Sequence, residues 1–216
     1  MKKRVVLFAL FLITVTCFSQ DIDSVFCNQR IVFTSEPVPE IVLARMTGKS
    51  LPKKALVQVE DLRYLTLPYY DFNGHIQTGE MVCHKTIAHD LLLIFKELFQ
   101  QQYPIHSIRL VDDYDANDEA SMRDNNTSCF NYRTVAGTTK LSKHAYGLAV
   151  DVNPLQNPWV TGNKVHPSTA SEYADRTKNF PHKIDKNDAC YRAFKARGFT
   201  WGGNWKSSKD YQHFQK

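Results

Sequence analysis

At 216 residues the chain is long enough for one domain with a real core. Its formal charge of +5 comes from 27 basic and 22 acidic side chains; without Lys2, Lys3 and Arg4 of the leading segment, 24 basic groups face the same 22 acids, a balance near +2. That is too weak a charge to grip nucleic acid, so nucleic acid is not expected as a partner.

Lys2-Lys3-Arg4 is followed by an apolar run over residues 5–15 and by Cys17-Phe18-Ser19-Gln20. This is the pattern of a secretory signal over residues 1–20, and the run is short for a membrane span. Export to the periplasm or the outside is the expected consequence. Lipid attachment at Cys17 is disfavoured by the bulk of Thr16. Residues 21–60 are weakly patterned and read as an N-terminal extension, broken up by Pro37, Pro39 and Pro52. The main domain is expected over residues 61–216, and as a monomer.

Within it, residues 62–79 mix aromatics with Asn73-Gly74 and read as short strands joined by a turn. Ile87, Leu91, Ile94, Phe95 and Leu98 predict a helix over residues 85–101. Residues 107–111 and 147–152 are strand candidates, the latter with Ala149 and Asp151 on one face. Residues 190–197 predict a short helix stopped by Gly198, followed by a strand or loop at Phe199-Thr200-Trp201. Helices and strands do not alternate regularly, which predicts an α+β domain with a small antiparallel sheet and flanking helices. Cys27, Cys83, Cys129 and Cys190 could form two disulfides, with three possible connectivities, or remain free thiols. Asp112, Asp113, Asp115 and Asp118 read as a solvated acidic loop.

The chemistry concentrates near the C-terminus. His144, Asp151 and His213 offer two imidazoles and one carboxylate, a set that can hold a divalent metal and leave a position open for water. Asp210, three residues before His213, can take a proton from that water and pass it to a leaving amine. The same ligand types also suit Fe(II). Iron sites of that kind usually place His and Asp one residue apart, whereas six residues separate His144 from Asp151. Trp201-Gly202-Gly203-Asn204-Trp205 reads as a rigid wall or floor of a cleft. His75, His84, His89, His106, His166 and His182 have no partner at ligand spacing and read as surface or packed imidazoles.

Ser142-x-His144-x-x-Gly147-x-Ala149-x-Asp151, then Trp201-Gly202-Gly203 and Asp210-x-x-His213-Phe214, resemble the VanY-type zinc peptidases of bacterial cell walls. These comprise D-alanyl-D-alanine carboxypeptidases and L-alanyl-D-glutamate endopeptidases. The resemblance runs from about Asp61 to His213. It implies a Hedgehog/DD-peptidase-like fold, Zn2+ on His144, Asp151 and His213, Asp210 as acid/base, and peptidoglycan peptides as substrate. It also implies an arginine beside the developing oxyanion. Where many relatives carry Ser-Gly-Tyr-Arg, this chain has Val111-Asp112-Asp113-Tyr114. Arg133 is the first substitute and Arg123 the second. Ser142, Trp201 and Arg123 are the expected substrate contacts. A non-catalytic metal-stabilised wall-binding module on the same fold is the main alternative, and the presence of Asp210 argues against it.

Overall fold

The strands β1 (Thr34–Glu36), β2 (Leu62–Tyr70) and β3 (Ile76–His84) form an antiparallel sheet in that order, with α1 (Glu40–Met46) between the first two in sequence. The computed structural model describes residues 31–216; the leader reading over 1–20, Cys17 and Cys27 lie outside the described residues. β2 and β3 pair along their full lengths, from Leu62 opposite His84 to Tyr70 opposite Ile76. Their turn is built by Asp71, whose Oδ1 accepts from the backbone N–H groups of Asn73 and His75, both at 2.9 Å. Gly74 supplies the left-handed φ of +78° that this turn needs.

β1 pairs with β2, placing Thr34 opposite Thr66, and α1 buries Val42 and Met46 against Leu62, Val82, Leu110 and Phe130. Residues 31–60 are therefore packed into the compact unit Ile31–Lys216 rather than appended to it. Prolines and short elements hide this in the sequence, because α1 is only two turns long and β1 is three residues.

α2 (Lys85–Gln100) follows β3 directly. His84 caps it by accepting from the Thr86 N–H, and Ile87, Ala88, Leu91, Ile94, Phe95 and Leu98 face the main core. The later elements are β4 (Ser107–Ile108), α3 (Asp118–Arg123), β5 (Asn126–Thr127), β6 (Ala149–Asp151), β7 (Trp159–Thr161), β8 (Lys164–His166), α4 (Ala189–Ala196), β9 (Thr200–Trp201), β10 (Lys209–Asp210) and β11 (His213–Gln215). Two further three-stranded antiparallel sheets run β6-β11-β9 and β10-β7-β8, and β4 pairs with β5 in parallel. The domain is α+β, with several small sheets instead of one.

The strand expected over residues 107–111 is cut to β4. From Val111 the chain makes a tight turn to Tyr114 because Asp112 points inward, accepting from Ser50 N–H at 3.1 Å and Ser50 Oγ–H at 2.9 Å. The acidic stretch is solvated only in part: Asp112 is buried, whereas Asp113 and Asp115 are exposed and pair at the surface with Arg45 at 2.8 Å and Lys49 at 2.7 Å. Cys83, Cys129 and Cys190 are free and buried, so two disulfides do not form. Burial pushes all three thiols up, which keeps them protonated and unreactive.

α4 is capped by Asp188, which accepts from Cys190 N–H at 2.8 Å, and it ends at Gly198 with φ +81°. Its Phe194 stacks on Phe214 of β11, with ring centroids 4.3 Å apart. That apolar contact seats the strand carrying His213 on the core.

Gly147 ties the turn Lys143–Tyr146 to the end of β3. Its φ is +66°, its carbonyl accepts from His84 N–H at 2.8 Å, and an added Cβ would lie 2.6 Å from that same nitrogen. Gly147→Ala is expected to cost about 2 kcal/mol or more from backbone strain and the clash together. Thermal unfolding should show the midpoint falling by about 4–8 °C.

Candidate metal centre

The first ligand sits in a short turn, Lys143–Tyr146, whose cap is Ser142: its Oγ accepts from His144 N–H at 3.3 Å. His144 Nδ1 lies 2.6 Å from the Cys129 carbonyl oxygen. A carbonyl only accepts, so Nδ1 carries the proton and Nε2 faces inward as a bare lone pair. His213 is oriented the other way. Its Nε2–H donates to Gln215 Oε1 at 3.0 Å, leaving Nδ1 inward.

Asp151 and His213 are direct cross-strand partners in the β6–β11 pairing, so their side chains share one face. His144 Nε2 lies 3.1 Å from Asp151 Oδ2, His213 Nδ1 lies 3.0 Å from Asp151 Oδ1, and the two inward nitrogens are 3.2 Å apart. All three residues are buried, with ligand atoms within 4.8 Å of one another. Lone pairs this close repel unless a proton or a cation lies among them. Each imidazole also has its outward nitrogen held by an acceptor, as metal-ligating histidines do. The donor set therefore fits a divalent metal. Burial alone would push the Asp151 carboxyl up; a proton carried by the inward nitrogens of His144 and His213, in the place a cation would take, outweighs it and holds the carboxyl below the usual carboxylate range.

Asp210 stands on β10, one bend before His213, not on a helical turn. Its Oδ1 is buried and has no hydrogen-bond partner. Burial pushes its carboxyl up to about 7; His213 and Arg133 pull it down, while Asp151 and Asp118 push it further up. A carboxyl poised there can accept a proton near neutral pH and return it.

These groups line a cleft of ≈ 920 Å³ that also includes Ser142, Arg133, Trp159, His166 and Trp205. Among the described residues Arg133 is the only arginine on this lining, with Nε 2.9 Å from Asp118 Oδ1. That contact is a charge pairing without an aligned Nε–H bond, since Nε is also a buried atom lacking a hydrogen-bond partner. Arg123 is not on the cleft lining; it is held on the surface by Glu119 at 3.2 Å and Ser168 Oγ at 3.1 Å.

Trp201 does not form a wall of the cleft. It is buried in the core and absent from the cleft, and its Nε1–H donates to the Tyr211 carbonyl at 2.9 Å. The Trp-Gly-Gly run works from behind the site. A Cβ on Gly202 would lie 2.6 Å from the Asp210 carbonyl oxygen and one on Gly203 2.4 Å from the Trp201 ring. Only glycine lets this run press against the strand carrying the acid. The aromatics on the cleft are Tyr146, Trp159 and Trp205 instead. His166, read as a bystander, belongs there too, stacked on Trp159 at 4.9 Å. Its signal was the hairpin turn Gly162-Asn163, which pairs residue 159 with residue 166.

Residues 136–216 match the peptidase family model described as D-alanyl-D-alanine carboxypeptidase. The match supports the VanY-type family read from the motifs. No solved structure matches the chain. The matched segment carries all three candidate ligands and Asp210, whereas Arg133 lies just before it. At a candidate metal site the acceptors behind the ligands matter as much as the ligands.

Gln215→Ala removes the acceptor that orients His213 and should weaken divalent metal affinity about 10–100-fold, read by chelator competition. Arg133→Gln removes a positive charge that lowers the Asp210 carboxyl. In metal-free protein the Asp210 titration should move further up, measured by carbon-13 NMR of the carboxyl.

Proposed function

We propose that the protein is an exported, monomeric, zinc-dependent peptidase that hydrolyses peptide bonds in peptidoglycan stem peptides, as a D,D-carboxypeptidase or an L-alanyl-D-glutamate endopeptidase. One observation carries the reading: three buried ligand atoms converge beside an unpartnered carboxyl within the segment that matches a peptidase family. Export rests on the Lys2-Lys3-Arg4 leader pattern.

His144, Asp151 and His213 would hold the zinc. When bound, zinc supplies a Lewis acid that polarises the scissile carbonyl and acidifies the attacking water. Asp210 accepts the water's proton through its unpartnered oxygen and delivers it to the leaving amine. Arg133, across the cleft beside Asp118, contributes positive charge to the developing oxyanion. Ser142 caps the turn that aims His144, so it acts through that ligand. Two imidazoles and a carboxylate favour zinc over calcium or magnesium, which take oxygen ligands.

The test combines metal analysis by mass spectrometry with digestion of defined muropeptides. Asp210→Ala should keep stoichiometric zinc and lose about 10²–10⁴ in kcat, whereas His213→Ala should lose the zinc itself. Full activity in Asp210→Ala would sink the mechanism, and zinc binding without cleavage of any muropeptide would make the fold a binding module.

A further inference from the structure

Four buried side-chain atoms among the described residues lack a hydrogen-bond partner: Arg133 Nε, Trp159 Nε1, Asp210 Oδ1 and Gln212 Oε1. All four residues line the same cleft. Buried polar groups in folded proteins are nearly always paired, so a cluster of exceptions on one surface marks where a ligand supplies the partners. Asp210 and Arg133 are absorbed by the proposed chemistry. The Gln212 amide can present either its oxygen or its nitrogen. The indole of Trp159 has no such freedom, since its nitrogen only donates.

The sheet explains why this indole is where it is. Trp159 on β7 is directly opposite Asp210 on β10 and directly opposite His166 on β8. Directly opposed residues of antiparallel strands point to the same face, so Asp210, Trp159 and His166 form one row. The indole stacks on His166 with an interplanar angle of 27°. His166 Nδ1 is in turn 3.8 Å from Glu119 Oε2, and Glu119 Oε1 is tied to Ser168 N–H at 3.1 Å. The ring is thus backed by a fixed partner. The buried indole of Trp201 is given a carbonyl to donate to; the half-buried Trp159, whose Nε1 is itself buried, is not.

We infer that Trp159 is a substrate-positioning residue whose indole N–H donates to a carbonyl or carboxylate oxygen of the bound peptide, with the Trp159–His166 stack as the wall beside it. This rests on the peptidase reading above. Neighbouring strands are about 4.8 Å apart and an extended peptide advances about 3.4 Å per residue. The oxygen bound by Trp159 therefore belongs to a residue within one or two of the scissile amide. That position decides which residue flanks the cut.

Calorimetry in the zinc-loaded Asp210→Ala background, with a stem pentapeptide and its C-terminally amidated form, tests this without turnover. Adding Trp159→Phe keeps a stacking ring and removes only the donor. Peptide affinity should fall on the order of tenfold, with zinc content and thermal midpoint unchanged. In the otherwise wild-type enzyme Trp159→Phe should raise KM far more than it lowers kcat. A penalty on the acid form alone assigns the oxygen to a terminal carboxylate, and an equal penalty on both assigns it to a backbone carbonyl. Binding and KM within twofold of the parent on both peptides would overturn the inference while leaving the peptidase reading intact. A parent that neither binds nor cleaves either peptide would overturn the peptidase reading and the inference with it.

Discussion

The β6–β11 pairing is the constraint on which the site depends. It sets Asp151 opposite His213 and, on the other side of β6, a bridge between Ser128 and Asp151 brings up the Cys129 carbonyl that orients His144. A slip of one residue would turn His213 to the opposite face and dismantle the ligand set. Three-residue strands cannot hold a register by backbone bonds alone. Here Phe214 and Val150, paired and fully buried, lock it from the core side, and the Phe194–Phe214 stack ties the strand to α4. The hydrophobic core thus fixes the positions of the polar atoms in front of it.

Two carboxylates stand close together in this cleft and are driven in opposite directions. Asp151 is flanked by two imidazoles and stays ionised, which suits a ligand. Asp210 has a buried oxygen with no partner and is held at about 7, which suits a proton carrier. Environments that push two acids apart in this way distinguish their roles more reliably than residue type does. Gly202 belongs to this arrangement, because its bare backbone lets the chain approach Asp210 closely and exclude water from it.

The sheet β10-β7-β8 extends the site sideways. It joins Asp210 to an aromatic shelf through strand register, so carboxyl and shelf keep a fixed spacing. Arg133 and Asp118 face this shelf from other parts of the chain. The cleft is therefore assembled from segments far apart in sequence, and the family-matched residues 136–216 form only part of its lining.

The candidate ligand set, the candidate acid and the helix α2 were legible in the chain itself. His144, Asp151, Asp210 and His213 stand within short motifs whose spacing states their chemistry, and the apolar spacing of α2 needs no tertiary partner to be read. Gly147 and Gly202 were visible as motif letters without their reason. Direction was not legible. Trp201 reads as a cleft wall until its neighbours show it facing the core, and Trp159 and His166 read as unrelated until the hairpin pairs them. Arg123 and Arg133 differ little in sequence context, yet only the fold places one on the cleft and ties the other to Glu119 outside it. Asp112 and the three thiols took their states from burial, which depends on what packs against them. Local chemistry and helical period are properties of neighbouring residues, so the sequence alone determined them. Strand register, side-chain facing and desolvation arise between distant segments, and only the tertiary structure decided them.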